Sequence, residues 1–136
     1  MTTVSKSKIS TMHPHLSAPT REALQRALEA CWTCAETCSA CADACLREEN
    51  VSAMRACIMS DLDCADICST TATLLARSGG AQVGVTRAML NACIAACHVC
   101  GEECKRHASH HEHCKHCAEA CQNCEDACRD LLSQLD

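Results

Sequence analysis

Cysteine recurs along this chain at alternating steps of three and four residues. Cys31, Cys34, Cys38, Cys41 and Cys45 follow the rhythm 3, 4, 3, 4, as do Cys114, Cys117, Cys121, Cys124 and Cys128, while Cys93, Cys97, Cys100 and Cys104 follow 4, 3, 4. Cys57, Cys64 and Cys68 keep the same phase, with Asp61 in the gap. That spacing holds side chains on one face of an α-helix. The face normally carries leucine or isoleucine and packs into a core. Sulfur in that place predicts helices whose common core is a column of thiols.

The rest of the composition agrees. A chain of 136 residues allows one domain. Phe and Tyr are absent and Trp32 is the only aromatic residue, so Ala, Leu and Cys must fill the core. Ala and Leu favour helices, and the scarcity of Val and Ile argues against a sheet. A net charge of −5 without a basic stripe excludes nucleic acid as an expected partner. Residues 1–20 show no apolar h-region and no twin arginine. No run approaches the ~18 apolar residues of a membrane span. The expectation is a cytoplasmic chain, without membrane contact, whose thiols are kept reduced. The cysteine count of 17 is odd, so at least one thiol stays unpaired in a monomer.

The predicted class is all-α: a flexible N-terminal tail over 1–19 and a four-helix bundle over 20–136. Helices are expected at about 20–47, 51–77, 82–107 and 113–134, with Ser17 or Thr20 as first cap and Ser78-Gly79-Gly80 as the second stop. Short turns give an antiparallel up-down-up-down order. The stripes then end in Leu24, Leu28, Leu75, Leu90, Leu131 and Leu135 at one end, an apolar plug. At the other end lie Met54, His107, His110, His111 and His113, a mouth. Facing the helices antiparallel gives four layers from the mouth inward: Cys45/Cys57/Cys104/Cys114, Cys41/Asp61/Cys100/Cys117, Cys38/Cys64/Cys97/Cys121 and Cys34/Cys68/Cys93/Cys124. Cys31 and Cys128 come nearest the plug.

Packing alone does not account for so many thiols, because Cys fills space less well than Leu and invites oxidation. Same-face neighbours have Cβ atoms ~5–6 Å apart, too far for the ~3.5–4.5 Å of a disulfide. The ferredoxin run C-x2-C-x2-C-x3-C-P is absent. Metal binding remains, and thiolates select Cu(I), Zn(II) or clusters. Pairs at i, i+3 or i, i+4 suit low-coordinate Cu(I) in series better than closed zinc tetrahedra, with a zinc or mixed-metal buffer as the alternative. Thiolate bridging would bring the buried charge closer to neutral, so the expected capacity exceeds half the cysteine count and approaches it.

These Cys-lined helices, with a His-bearing end and no export signal, resemble the cytosolic copper storage proteins of bacteria over about residues 20–135. The resemblance implies a four-helix bundle that stores many Cu(I) ions, usually as a homotetramer, and no enzyme activity. Its partners would be copper ions and copper donor or acceptor proteins. Asp61 departs from an all-thiol lining.

All seventeen cysteines are thus candidate metal ligands. Extending the third stripe from Cys104 by three and then four reaches His107 and His111, the expected uptake ligands. Met54 faces the same opening, and Asp61 lies deeper, placed to guide a cation or orient a histidine. His98 and His116 fall off the stripe and read as surface residues, and His13 and His15 fall in the tail.

Overall fold

A computed structural model describes residues 9, 11–77 and 82–135. Its four long helices are α1 (Ala18–Leu46), α2 (Arg55–Ala76), α3 (Val83–Lys105) and α4 (Glu112–Ser133). Among the described residues there is no strand. Helix α1 packs against α2 and α4, and α3 packs against the same two, so α1 and α3 face each other across the diagonal of an antiparallel bundle.

The ends follow local chemistry. Ser17 caps α1, its hydroxyl accepting the Thr20 backbone N–H at 3.3 Å, with Pro19 in the first turn where no N–H is needed. Residues 51–54, expected as the start of the second helix, instead form a 3-10 turn (Val51–Met54) that leads into α2. The Ser78-Gly79-Gly80 stop lies outside the described residues. Beyond Lys105 the chain keeps coiling for one turn, because the His111 N–H reaches the His107 carbonyl at 2.9 Å. His111 then opens into an extended residue and α4 begins behind it.

The bundle is thin because its core side chains are small. All seventeen cysteines are at most 1% exposed, flanked by buried Ala23, Ala27, Ala72 and Ala42. Sulfurs meet across both diagonals: Cys31 and Cys93 at 3.9 Å, Cys38 and Cys100 at 3.9 Å, Cys68 and Cys124 at 3.9 Å. Gly101 lets α3 close on α4, since a Cβ there would sit 3.3 Å from the Cβ of Cys121. Helix α3 is long and apolar enough, by length and composition, to cross a membrane. In the bundle its cysteine face is buried against the other helices.

The plug forms as the stripes require. Leu24, Leu28, Leu75, Leu90 and Leu131 are at most 2% exposed, and Leu135 is half-buried beside them. The segment ahead of α1 reaches this end as well. Ile9 and Leu16 pack against the core, and His13, read from the sequence as a tail residue, is only 7% exposed. Its Nε2 lies 2.9 Å from the Ala76 carbonyl, which lacks a helical partner at the end of α2.

Candidate metal centre

The column presents its sulfurs in continuous van der Waals contact. Cys57 lies 3.6 Å from Cys104, Cys68 3.6 Å from Cys97, Cys64 3.8 Å from Cys97 and Cys31 3.7 Å from Cys128. None of these thiols is in a disulfide. Sets of four converge within 4.8 Å of one another, among them Cys31/Cys93/Cys124/Cys128, Cys34/Cys68/Cys97/Cys124, Cys34/Cys38/Cys64/Cys121, Cys38/Cys100/Cys117/Cys121 and Cys41/Cys45/Cys57/Cys114. The first four of these sets share members in succession, through Cys124, Cys34 and then Cys38 with Cys121, and the fifth, at the mouth, meets α3 where Cys57 touches Cys104.

The layers differ from expectation along α1. Cys34, expected level with Cys68, Cys93 and Cys124, also touches Cys64 at 3.9 Å and Cys121 at 3.8 Å, one layer nearer the mouth. Cys38 likewise meets Cys117 at 3.6 Å. Helix α1 therefore sits between layers, and that slide is what makes successive four-sulfur sets overlap.

Asp61 is completely buried among thiols. Its Oδ1 accepts S–H contacts from Cys100 at 3.1 Å, Cys117 at 3.2 Å and Cys104 at 3.6 Å, while Cys57 lies 3.8 Å from Oδ2. Loss of solvation, followed by the nearby Cys100, pushes its carboxyl up to about 10. It is therefore a neutral acid at pH 7. Burial acts in the same direction on the outermost thiols, raising Cys114 to about 12 and Cys45 higher still. Asp61, Cys114 and Cys45 are thus held protonated and uncharged at this end of the metal-free column.

The mouth gathers part of the expected set. His107 and His111 stand one turn apart with ring centroids 6.4 Å apart, both about three-quarters buried. His107 Nε2 lies 3.2 Å from Glu103 Oε2, an i, i+4 contact along α3, so its Nδ1 remains for another partner. His110 turns out to solvent. Met54 is 2% exposed, packed beneath the lip with the core cluster. His98 and His116 are surface residues, as expected, with side chains 59% and 60% exposed and in contact with Glu125 and with Glu112.

Two residues here carried no periodic signal. Glu48, in the polar turn after α1, places Oε2 3.2 Å from His111 Nδ1 and 3.8 Å from His113 Nε2. His113 turns inward, with its ring centroid 5.3 Å from that of His111. Glu103 could have been read from its position four residues before His107. Nothing in the local sequence marks Glu48.

The comparisons with known proteins agree with this geometry. A sequence model of the copper storage protein family matches residues 20–133. The structure of the copper storage protein Ccsp from Streptomyces lividans, loaded with 10 copper equivalents, is similar at 48% identity, covering 94% of this chain and 98% of that one with a TM-score of 0.88. A structure of the cytosolic copper storage protein from the same organism with five coppers is 52% identical, covers 88% of this chain and all of the other, and gives a TM-score of 0.86. The uncharacterised cysteine-rich protein YhjQ of Bacillus subtilis is 33% identical over 107 residues, 79% of this chain and 94% of its own length.

Proposed function

The chain belongs to the copper storage protein family, and on that premise we propose that it admits Cu(I) through the histidine-bearing mouth and holds many ions on the seventeen thiolates of the column, as a cytosolic store without catalytic turnover. The cytosolic setting is that of the Streptomyces relative. The single observation that carries the reading is the sharing of sulfurs between successive four-thiol sets, as with Cys34, Cys38, Cys121 and Cys124. Shared thiolates bridge ions, and bridging is what a dense Cu(I) array needs.

The zinc alternative has one observation in its favour. Sulfur separations of 3.6–4.0 Å match the ~3.8 Å edge of a tetrahedron with Zn–S bonds of about 2.3 Å. Stoichiometry decides between them. Closed tetrahedra use four sulfurs each, so 17 cysteines complete about four without sharing. A bridged Cu(I) array is expected to exceed half the cysteine count.

His107 and His111 receive the ion at the mouth, with Met54 offering a soft thioether beneath them. Asp61, one layer in, is the first carboxyl the ion meets inside the column. On copper binding it gives up its proton or turns aside for a thiolate. The outer face also suits contact between copies of this chain, in keeping with the expected homotetramer. Met59, Leu62, Val85 and Val99 are exposed on α2 and α3, and Ile67, Ala92, Ala95 and Ala96 line a shallow groove between those helices. Native mass spectrometry would give the copy number.

The test is anaerobic titration of reduced protein with Cu(I), read by native mass spectrometry. The expected result is more than eight ions per chain, above half the 17 thiols. Saturation at four or fewer, or zinc displacing Cu(I) from the column, would overturn the proposal.

A further inference from the structure

Outside the thiol column, the mouth holds a second cluster of metal-ligating groups with a different chemistry. Three side chains from two turns converge on one point: the carboxylate of Glu48, Nδ1 of His111 at 3.2 Å from Glu48 Oε2, and Nε2 of His113 at 3.8 Å from the same oxygen. The His113 Nε2 is buried and has no hydrogen-bond partner. An orphaned buried ring nitrogen is costly and needs a reason. We infer that Glu48, His111 and His113 form a site for a borderline divalent cation such as Zn(II), separate from the Cu(I) column.

Donor type and spacing both support this. Two imidazoles and one carboxylate are nitrogen and oxygen ligands, which suit Zn(II) and leave soft Cu(I) to the sulfurs below. Ligands at about 2.0–2.2 Å in a tetrahedron stand about 3.3–3.6 Å apart, and the separations of 3.2 and 3.8 Å bracket that range. Only a small swing of the His113 ring is needed. The three side chains are each between 23% and 33% exposed, so an ion arrives from solvent and keeps a water in its fourth position.

The backbone holds the ligands in place. The Glu48 N–H is anchored to the Cys45 carbonyl at 3.2 Å, and the His111 carbonyl accepts from both Cys114 and Lys115 at 3.1 and 3.2 Å. The extended conformation of His111 lets its ring and that of His113 face one side, while Glu112 between them points out, 75% exposed. Arg47, the cation next in sequence to Glu48, is engaged with Asp43 at 3.1 Å.

Occupation has a consequence for copper, which rests on the proposed part of His111 in uptake and release. A neutral imidazole has one lone pair. With Nδ1 on zinc, its proton sits on Nε2, and His111 no longer offers a nitrogen to Cu(I). Zinc at the lip, tying the α1–α2 turn to the start of α4, therefore acts as a stopper on the filled store.

The test uses protein loaded anaerobically with Cu(I) until no free thiol remains, so that sulfur is not open to zinc. Its copper content, measured first, tests the storage function separately. One equivalent of Zn(II) is then added and its X-ray absorption recorded. The expected first shell holds only nitrogen and oxygen at about 2.0 Å, with no sulfur at about 2.3 Å. Retention after desalting should weaken at least tenfold in Glu48→Gln and in His113→Ala, and persist in His110→Ala. A sulfur shell, no retained zinc, or retention unaltered in both ligand variants would overturn the site. Transfer of Cu(I) to a Cu(I)-selective chelator should slow when zinc is bound and be indifferent to zinc in His113→Ala. An unchanged transfer rate with zinc in place would overturn the stopper.

Discussion

Replacing Asp61 by asparagine should stabilise the metal-free protein, even though it removes a polar contact set at the centre of the column. Asn keeps the Oδ1 that accepts from Cys100 and Cys117 and removes the ionisation. The unfolded chain has this carboxyl near 3.8, and the folded protein holds it near 10. Between those values the unfolded state is ionised while the native state binds a proton, so native stability falls as pH rises. The loss is absent below about pH 4, grows through neutrality, and is complete only above pH 10. At pH 7 the span is 7 − 3.8, or about 3 units at 1.36 kcal/mol each, giving about 4 kcal/mol. The Asn variant escapes that loss. Reduced, metal-free wild-type and variant would be unfolded with guanidinium under nitrogen from pH 4.5 to pH 8. The wild-type should lose about 1.4 kcal/mol per unit relative to the variant. The gap at pH 7 should correspond to a melting difference on the order of 10 °C. Contributions common to both proteins cancel in the difference. Parallel stability curves would refute the claim that the carboxyl is buried and neutral.

Gly101→Leu should drive α3 off α4, because even a Cβ at 101 meets Cys121 at 3.3 Å. A loss of about 1–3 kcal/mol in chemical denaturation is expected. Leu28→Ala, at a side chain 1% exposed in the plug, should cost about 2–5 kcal/mol and leave the number of bound Cu(I) ions unchanged by mass spectrometry. Cys100→Ser should lower capacity only slightly, since Cys38, Cys104 and Cys117 surround the gap and can rearrange. Joint replacement of His107 and His111 by alanine should slow Cu(I) uptake in stopped-flow mixing while capacity stays nearly intact.

The helices and their inward faces were legible because a thiol stripe is periodic within one helix, and periodicity survives in sequence. The slide of α1 was not, because stagger depends on how the 3-10 turn at Val51–Met54 takes up chain between α1 and α2. The same limit hid Glu48 and the burial of His13. Each takes its role from a partner on another segment: His111 for one, the Ala76 carbonyl for the other. Asp61 shows the limit from the other side. Its place in the stripe was plain from the sequence, but its neutrality follows first from the burial the packed helices impose and then from Cys100 on α3. That neutrality bears on how such a core can exist at all. The metal-free column packs as an apolar core does, with its one carboxyl and the burial-raised Cys45 and Cys114 thiols holding their protons. Cu(I) and the proton carry the same charge, so exchanging one for the other at each sulfur leaves the buried charge unaltered. A divalent ion in the same exchange adds one positive charge for every proton it replaces singly, and must take two thiolates to remain neutral. The one-for-one exchange favours dense filling of a column of 17 thiols by Cu(I) over zinc.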